Sequence, residues 1–353
     1  MRHSFRKWLA LTLGIGLGLC VLCALFVAVV DPYFHYHKPL EGLEYRIWRE
    51  RYQNDGILRH FDYDTVILGS SMCQNFAASE AEELFGGQAV KVTISGSTIH
   101  EQSEMLSRAF AYHGGISTVI WGLDYVRLGN DPEEMAYEDS SFPDYLYDTN
   151  PFNDIEYLLN RTVLTDAIKQ VLLYTLQGNK TTSFDDYGAW WRDFPFGRER
   201  IYTTYHRKET IAPMQEYTPE LEETARQNTL QNILSLAQAH PETEFYLFIT
   251  PNSIVFWDEV NRSGEMDIFQ GAEKTMVRLL TGQENIHFYS FFLNRELIEN
   301  LDNYKDPSHY SEKVCSWILQ WLRQGEGLLT PDNQEDYFRE LAEYTHTYDY
   351  DSI

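Results

Sequence analysis

The spacing of apolar positions changes several times along the chain. Residues 8–30, WLALTLGIGLGLCVLCALFVAVV, are apolar and carry no charged side chain. Coiled as a helix at about 1.5 Å per residue, the run reaches roughly 34 Å, enough to cross a bilayer. From residue 65 onward, short apolar runs alternate with amphipathic segments. Residues 65–69 (TVILG), 90–94 (VKVTI) and 118–121 (TVIW) read as strands, short and rich in β-branched side chains. Between them, 75–84 and 101–112 read as helices stopped by Gly86-Gly87 and Gly114-Gly115. Strand, helix, strand, helix, strand, with strands apolar on both faces, predicts a parallel sheet covered by helices on each side.

The pattern breaks over about 127–219. That insertion holds a helix candidate at 155–176 and the aromatic run DDYGAWWRDFPFGRER. Alternation resumes with a helix at 220–238, a strand at 245–250, a helix at 272–280, a strand at 285–289 and a helix from just after DPSHYS to about 322. The organisation expected is a cytoplasmic stub and anchor (1–30), a juxtamembrane linker (31–61) and a three-layer α/β/α domain (62–325) with its insertion. An acidic surface tail (326–353) closes the chain. Tyr33, Phe34 and Tyr36, just past the anchor, suit the headgroup region. His35 and His37 read as interfacial rather than metal-binding, with no third ligand nearby.

Composition narrows the classes. At 43% hydrophobic and 15% aromatic the chain is not disordered, and with 4 Cys in 353 residues it is no disulfide scaffold. Its net charge is -25. Arg2, Arg6 and Lys7 precede the anchor, which takes the remainder from -25 to about -28. By the positive-inside rule the N-terminus stays in the cytoplasm and the main domain lies outside. Such acidity excludes nucleic acid as a partner. A cleaved signal peptide is the alternative, but the apolar run is long for one and no A-x-A site closes it. Gly14 and Gly18 form a GxxxG pair, a motif that lets membrane helices approach. No nucleotide motif follows a strand and no Cys/His set has zinc spacing, so neither cofactor nor metal is expected.

Ligands of open parallel sheets bind at the carboxyl ends of the strands. There the first three strands end in Gly69-Ser70-Ser71, Ser95-Gly96-Ser97 and Gly122-Leu123-Asp124, and Asp306-Pro307-Ser308-His309 precedes the last helix of the domain. Each piece alone reads equally well as a turn or a helix cap. Together they carry chemistry. A serine hydroxyl needs an adjacent base to become nucleophilic, and an imidazole needs a carboxylate to fix its tautomer.

In this order the blocks resemble the SGNH (GDSL-like) hydrolase superfamily, whose usual blocks are Gly-Asp-Ser, a glycine, Gly-x-Asn and Asp-x-x-His. The anchor and the Gly-Ser-Ser version look like its membrane-anchored envelope branch, with DltD-type and AlgX/AlgJ-like O-acyltransferases. The resemblance covers about 62–125 and 242–322 and implies an SGNH/flavodoxin-like fold. It implies Ser71 as nucleophile, His309 as general base, Asp306 as its orienting carboxylate, and the N–H groups of Ser71 and Gly96 as oxyanion donors. It departs at Asp124, which stands where the family has Asn; an ionised carboxylate cannot donate. Either Asp124 is protonated, or another donor such as Asn75 replaces it, or the site is inactive.

The resemblance further implies an extracytoplasmic serine-dependent O-acyl transferase or esterase of the bacterial cytoplasmic membrane. It would act on envelope polysaccharide or a teichoic-type polymer beside a membrane-bound acyl-chain exporter. The alternatives are a non-catalytic scaffold that binds glycan or organises an acylation complex, and a lipase-like esterase. Trp190, Trp191 and Arg192 of the insertion are candidate substrate contacts, among the neighbours Tyr187, Phe194, Phe196, Arg198 and Arg200. Cys73 and Cys315 lie two residues after Ser71 and six after His309, so they either pair or stay as buried thiols.

Overall fold

A computed structural model describes residues 2–136 and 142–353. Residues 137–141 of the long insertion lie outside the described residues. The chain divides into two compact units, Met1–Phe61 with Asp139–Ser183, and Asp62–Glu138 with Phe184–Ile353. The stretch 31–61 is therefore part of a folded unit rather than a linker, and the insertion is shared between the two.

The larger unit is built on a sheet. Among the described residues its strands are β1 (Thr65–Leu68), β2 (Ala89–Lys91), β3 (Thr118–Leu123), β4 (Glu244–Ile249), β5 (Ile286–Tyr289) and β6 (Leu328–Leu329). Their order is β2-β1-β3-β4-β5-β6. The first five are parallel, and β6 runs antiparallel to β5. Every residue of β1 and β3 is buried, so both faces of the sheet are covered. Helices Ala78–Phe85 and Glu312–Gln324 pack together; Met266–Leu280 packs with Pro219–Thr229, and Ile99–Tyr112 with the turn that continues the latter. This is the mixed α/β sandwich that the alternation of runs predicts. The strand order reverses direction at β1, so the crevice between the carboxyl ends of β1 and β3 is the topological switch point.

Local chemistry fixes the elements around that crevice. Thr98 and Glu101 form a reciprocal capping box that starts Ile99–Tyr112. A Cβ on Gly69 or on Gly122 would overlap the Cys73 thiol, and on Gly122 the Phe248 ring as well. Glycine at the ends of β1 and β3 is what lets the turn after β1 lie against the sheet.

The tail at 326–353 is not a surface appendage. It supplies β6 and the helix Gln334–Thr347, whose Tyr337, Leu341 and Tyr344 are buried. Their i, i+4, i+7 spacing is an apolar seam hidden in acidic sequence. Tyr337 also enters a buried network: its hydroxyl and that of Tyr125 each donate to Glu273, and Ser290 Oγ lies 2.6 Å from Tyr337 Oη.

The smaller unit contains the helix Arg2–Val30, long and apolar enough over Phe5–Val30 to cross a membrane. Just after it, Asp31 adopts φ 44°. Its carboxylate accepts from the N–H groups of His35, Tyr36 and His37 and from the Tyr157 hydroxyl. Tyr33 and Phe34, expected at the headgroups, are buried instead. Tyr33 joins Val27, Leu146, Tyr157 and Val163 in a core cluster. The two histidine rings face different partners, His35 toward Asp154 and His37 toward the carbonyls of Ala28 and Lys38.

Burial pushes the Glu273 carboxyl from 4.5 up to about 7, against the opposing hydrogen bonds of Tyr337 and Tyr125. Between those values the folded chain keeps a proton that the unfolded chain has lost. Stability contributed by this proton is complete below pH 4.5 and falls as pH rises through 7, by about 3 kcal/mol. Melting curves of the full chain in detergent from pH 5 to 8 should therefore slope downward in wild type. In Glu273→Gln, which cannot ionise, that part of the slope should be absent.

Candidate active site

Ser71 opens a 3-10 turn, Ser71–Cys73, three residues past Leu68, the last residue of β1. Ser70 caps the turn by accepting the Met72 N–H at 3.2 Å. As first residue of the turn, Ser71 has a backbone N–H with no acceptor inside it. Its Oγ lies 2.9 Å from His309 Nε2. His309 Nδ1 lies 2.9 Å and 3.0 Å from the two oxygens of Asp306. Asp306 also accepts the backbone N–H groups of Ser308 and His309, at 3.0 Å and 2.8 Å. The segment thus curls into a turn that holds carboxylate and imidazole together. With Nδ1 facing a carboxylate the proton belongs there, which leaves Nε2 to accept from Ser71. Burial would raise the Asp306 carboxyl, but the hydrogen bonds and charge of His309 outweigh it and bring it down to about 2.

These groups open on a cleft of about 150 Å³, lined among others by Ser71, Asp124, Thr250, Asn252, Ser308 and His309. Asp124 stands at the carboxyl end of β3. Its Oδ1 is buried with no hydrogen-bond partner among the described residues. Burial raises its carboxyl, while the hydroxyls of Ser70 and Thr250 and the charges of His309 and Arg127 pull the other way. Asn252 follows β4; its amide donates to Ser308 Oγ at 3.3 Å, and its Oδ1 is buried with no hydrogen-bond partner among the described residues. Nothing in the sequence singled out Thr250 or Asn252, although the strand-end rule that marked the other loops applies equally to FITPN.

The other two candidate donors are Gly96 and Asn75. Gly96, at φ 68°, forms an exposed turn. Its carbonyl accepts from Arg127 at 3.5 Å. Asn75 Oδ1 accepts the backbone N–H groups of Trp190 and Trp191, at 3.0 Å and 3.2 Å. Its side chain therefore ties the insertion to the turn that carries Ser71.

The insertion in turn reaches the reacting groups. The Trp190 indole donates to the Ser71 carbonyl at 3.1 Å and meets the His309 ring edge-on, centroids 5.4 Å apart. The Lys305 ammonium lies over the same indole. Trp191 carries the Arg192 guanidinium over its ring, and Arg192 pairs with Asp186 at 2.7 Å. Trp191, Arg192 and Asn75 line a neighbouring depression of about 460 Å³. Beneath the turn Lys91, fully buried, donates to the carbonyls of Gln74, Phe76 and Asp185 at 2.5, 2.8 and 3.3 Å. Cys73 and Cys315 are free, buried thiols, and burial pushes both well up.

No protein-family model matches the chain, and no curated protein matches it. Two solved structures are similar. One is a provisionally assigned platelet activating factor from Streptococcus pneumonia, 13% identical with a TM-score of 0.39, covering 82% of this chain and 91% of its own. The other is an acetyl xylan esterase from the rumen bacterium Butyrivibrio proteoclasticus, 9% identical with a TM-score of 0.32, covering 74% and 64%. Both likenesses are remote, and the reading of the cleft rests on its own geometry.

If Asn75 serves to hold the insertion, Asn75→Ala leaves two backbone donors without their acceptor. The expected result is a loss of about 1–3 kcal/mol in thermal or denaturant unfolding. An unchanged unfolding curve would assign the side chain a different role.

Proposed function

We infer that the chain is a membrane-anchored serine O-acyl transferase or esterase of the SGNH type. The hydrogen-bonded run from Ser71 through His309 to Asp306, at the switch point of the sheet, carries this reading. In the reaction, Ser71 Oγ attacks the acyl carbonyl carbon as His309 Nε2 takes its proton. The C–O bond to the donor alcohol breaks, and His309 returns the proton to the departing oxygen. An acyl-serine ester remains. A second hydroxyl, from water or from an acceptor, then attacks that ester with His309 again as base, and Ser71 is regenerated. Asp306 holds the tautomer and stabilises the imidazolium throughout.

The substrate class we propose is an O-acyl group on an extracytoplasmic polysaccharide or teichoic-type polymer. An anchor followed by a strongly acidic remainder fits a domain outside the cytoplasmic membrane. Trp191 and Arg192 line the neighbouring depression, and an indole edge beside a guanidinium suits the hydroxyls of a sugar or polyol acceptor. A membrane-bound acyl-chain exporter is the partner that the family resemblance adds. The second reading, a non-catalytic glycan-binding scaffold, is favoured by one residue: Asp124 puts a carboxyl where the oxyanion would need a donor.

A serine-directed fluorophosphonate separates the two. Wild type should label, and Ser71→Ala should not, while His309→Ala should label at least about a hundredfold more slowly. Absence of labelling in a folded wild type favours the scaffold. Replacing Asp124 with Asn supplies a neutral donor in the cleft. We expect it to speed labelling or p-nitrophenyl acetate turnover by about tenfold or more at pH 7 and above. An unchanged or lower rate in a folded Asp124→Asn chain would place oxyanion stabilisation on other groups.

A further inference from the structure

The helix Arg161–Lys169 and the π-helical turn Gln170–Leu176 that continues it carry apolar side chains on their exposed as well as their buried side. Two of their buried side chains are polar, Asp166 and Gln170. Asp166 is held by the Tyr33 hydroxyl and by Arg49, each at 2.8 Å. The exposed side carries an apolar row beside Arg161, Thr162, Thr165 and Lys169. Ile168, Leu172 and Leu176 recur every fourth residue and share a face, and they are 42%, 49% and 71% exposed. Ile155, Leu159 and Phe152, just upstream, are exposed as well. A water-facing helix keeps its exposed side polar.

The position of this face in the smaller unit says what covers it. The apolar helix Arg2–Val30 packs against both Ile155–Leu158 and Arg161–Lys169. Its contribution to their common core, Val27, lies in its last turns. If 8–30 spans roughly 34 Å, those turns stand where a hydrocarbon layer of about 30 Å ends. Interfacial helices lie at that depth, apolar face down, with basic residues at the rim. Arg161 and Lys169 are exposed on the same helix.

We propose that the exposed face of 155–176 is a second membrane contact, immersed in the outer leaflet beside the spanning helix. The chain is then held at two places: by a helix that crosses the bilayer, and by a helix pair that lies in its surface. The proposal rests on the reading of 8–30 as a span, and the test separates the two. The full chain, with Cys20 and Cys23 replaced by Ala, is spin-labelled singly at Leu172→Cys, Leu176→Cys, Leu17→Cys or Glu343→Cys. Each labelled chain is placed in nanodiscs of phosphatidylethanolamine and phosphatidylglycerol. Collision rates with oxygen, which partitions into lipid, are compared with those of the water-soluble Ni(II)EDDA.

Labels at 172 and 176 should favour oxygen several-fold over the label at 343, as the label at 17 does. The proposal is overturned if they collide with Ni(II)EDDA as 343 does while 17 stays lipid-like. It is equally overturned if spin–spin broadening shows that a second copy covers the face. Water-like collisions at 17 as well would remove the span itself, and the second contact with it.

Discussion

One buried cation holds the site together. Lys91 ends β2, and its ammonium lies with no exposure among the carbonyls of Gln74, Phe76 and Asp185. Burial brings it down to about 8. Removing a charge from water is costly unless hydrogen bonds replace hydration, and these carbonyls do so. Two belong to the turn that carries Ser71, and the third to the re-entering insertion. Two segments more than a hundred residues apart are thereby fixed to one strand end. Asn75 then gathers Trp190 and Trp191, and Trp190 closes on Ser71 and His309. The serine is oriented from below by a lysine and from the side by an indole, both through backbone carbonyls.

Much of the sheet could be read from the sequence because its strands are buried on both faces. TVIL and TVIW need only their β-branched and apolar content to be recognised, and the strand-end rule then directs attention to Ser71, Asp124 and the histidine loop. Lys91 had no such signal: a lysine within VKVTI carries no local mark of burial, and only the tertiary fold buries it. Asn252 sits in a Pro-Asn-Ser stretch with the composition of an ordinary turn. The division into two units was hidden as well. It depends on pairs such as Tyr33 with Asp166 and Asp31 with Tyr157, separated by 133 and 126 residues, and no local period encodes such contacts.

The buried acids of the larger unit fall into two kinds according to their partners. Asp258 is buried too, but Arg207 and Arg262 bond to it and hold it below the usual carboxylate range. Glu273 has the hydroxyls of Tyr337 and Tyr125 against its desolvation, and it rises. A hydroxyl stabilises a carboxylate less than a guanidinium does, because it brings no charge. Burial then decides the outcome.

The same contrast exists between the two carboxyls that feel the charge of His309. Asp306 has the His309 ring and two backbone donors, and stays ionised down to about 2. Asp124 has the Ser70 and Thr250 hydroxyls, more distant charges and one oxygen without a partner, and burial moves it upward. Environments that drive two carboxyls apart assign them different tasks. The ionised one can orient His309 and balance its charge. The other has its charge opposed by burial, with hydroxyls and more distant cations working against that burial. Its surroundings are the closed packing of β1, β3 and β4 at their carboxyl ends, so the sheet that presents Ser71 also acts on the carboxyl at the end of β3.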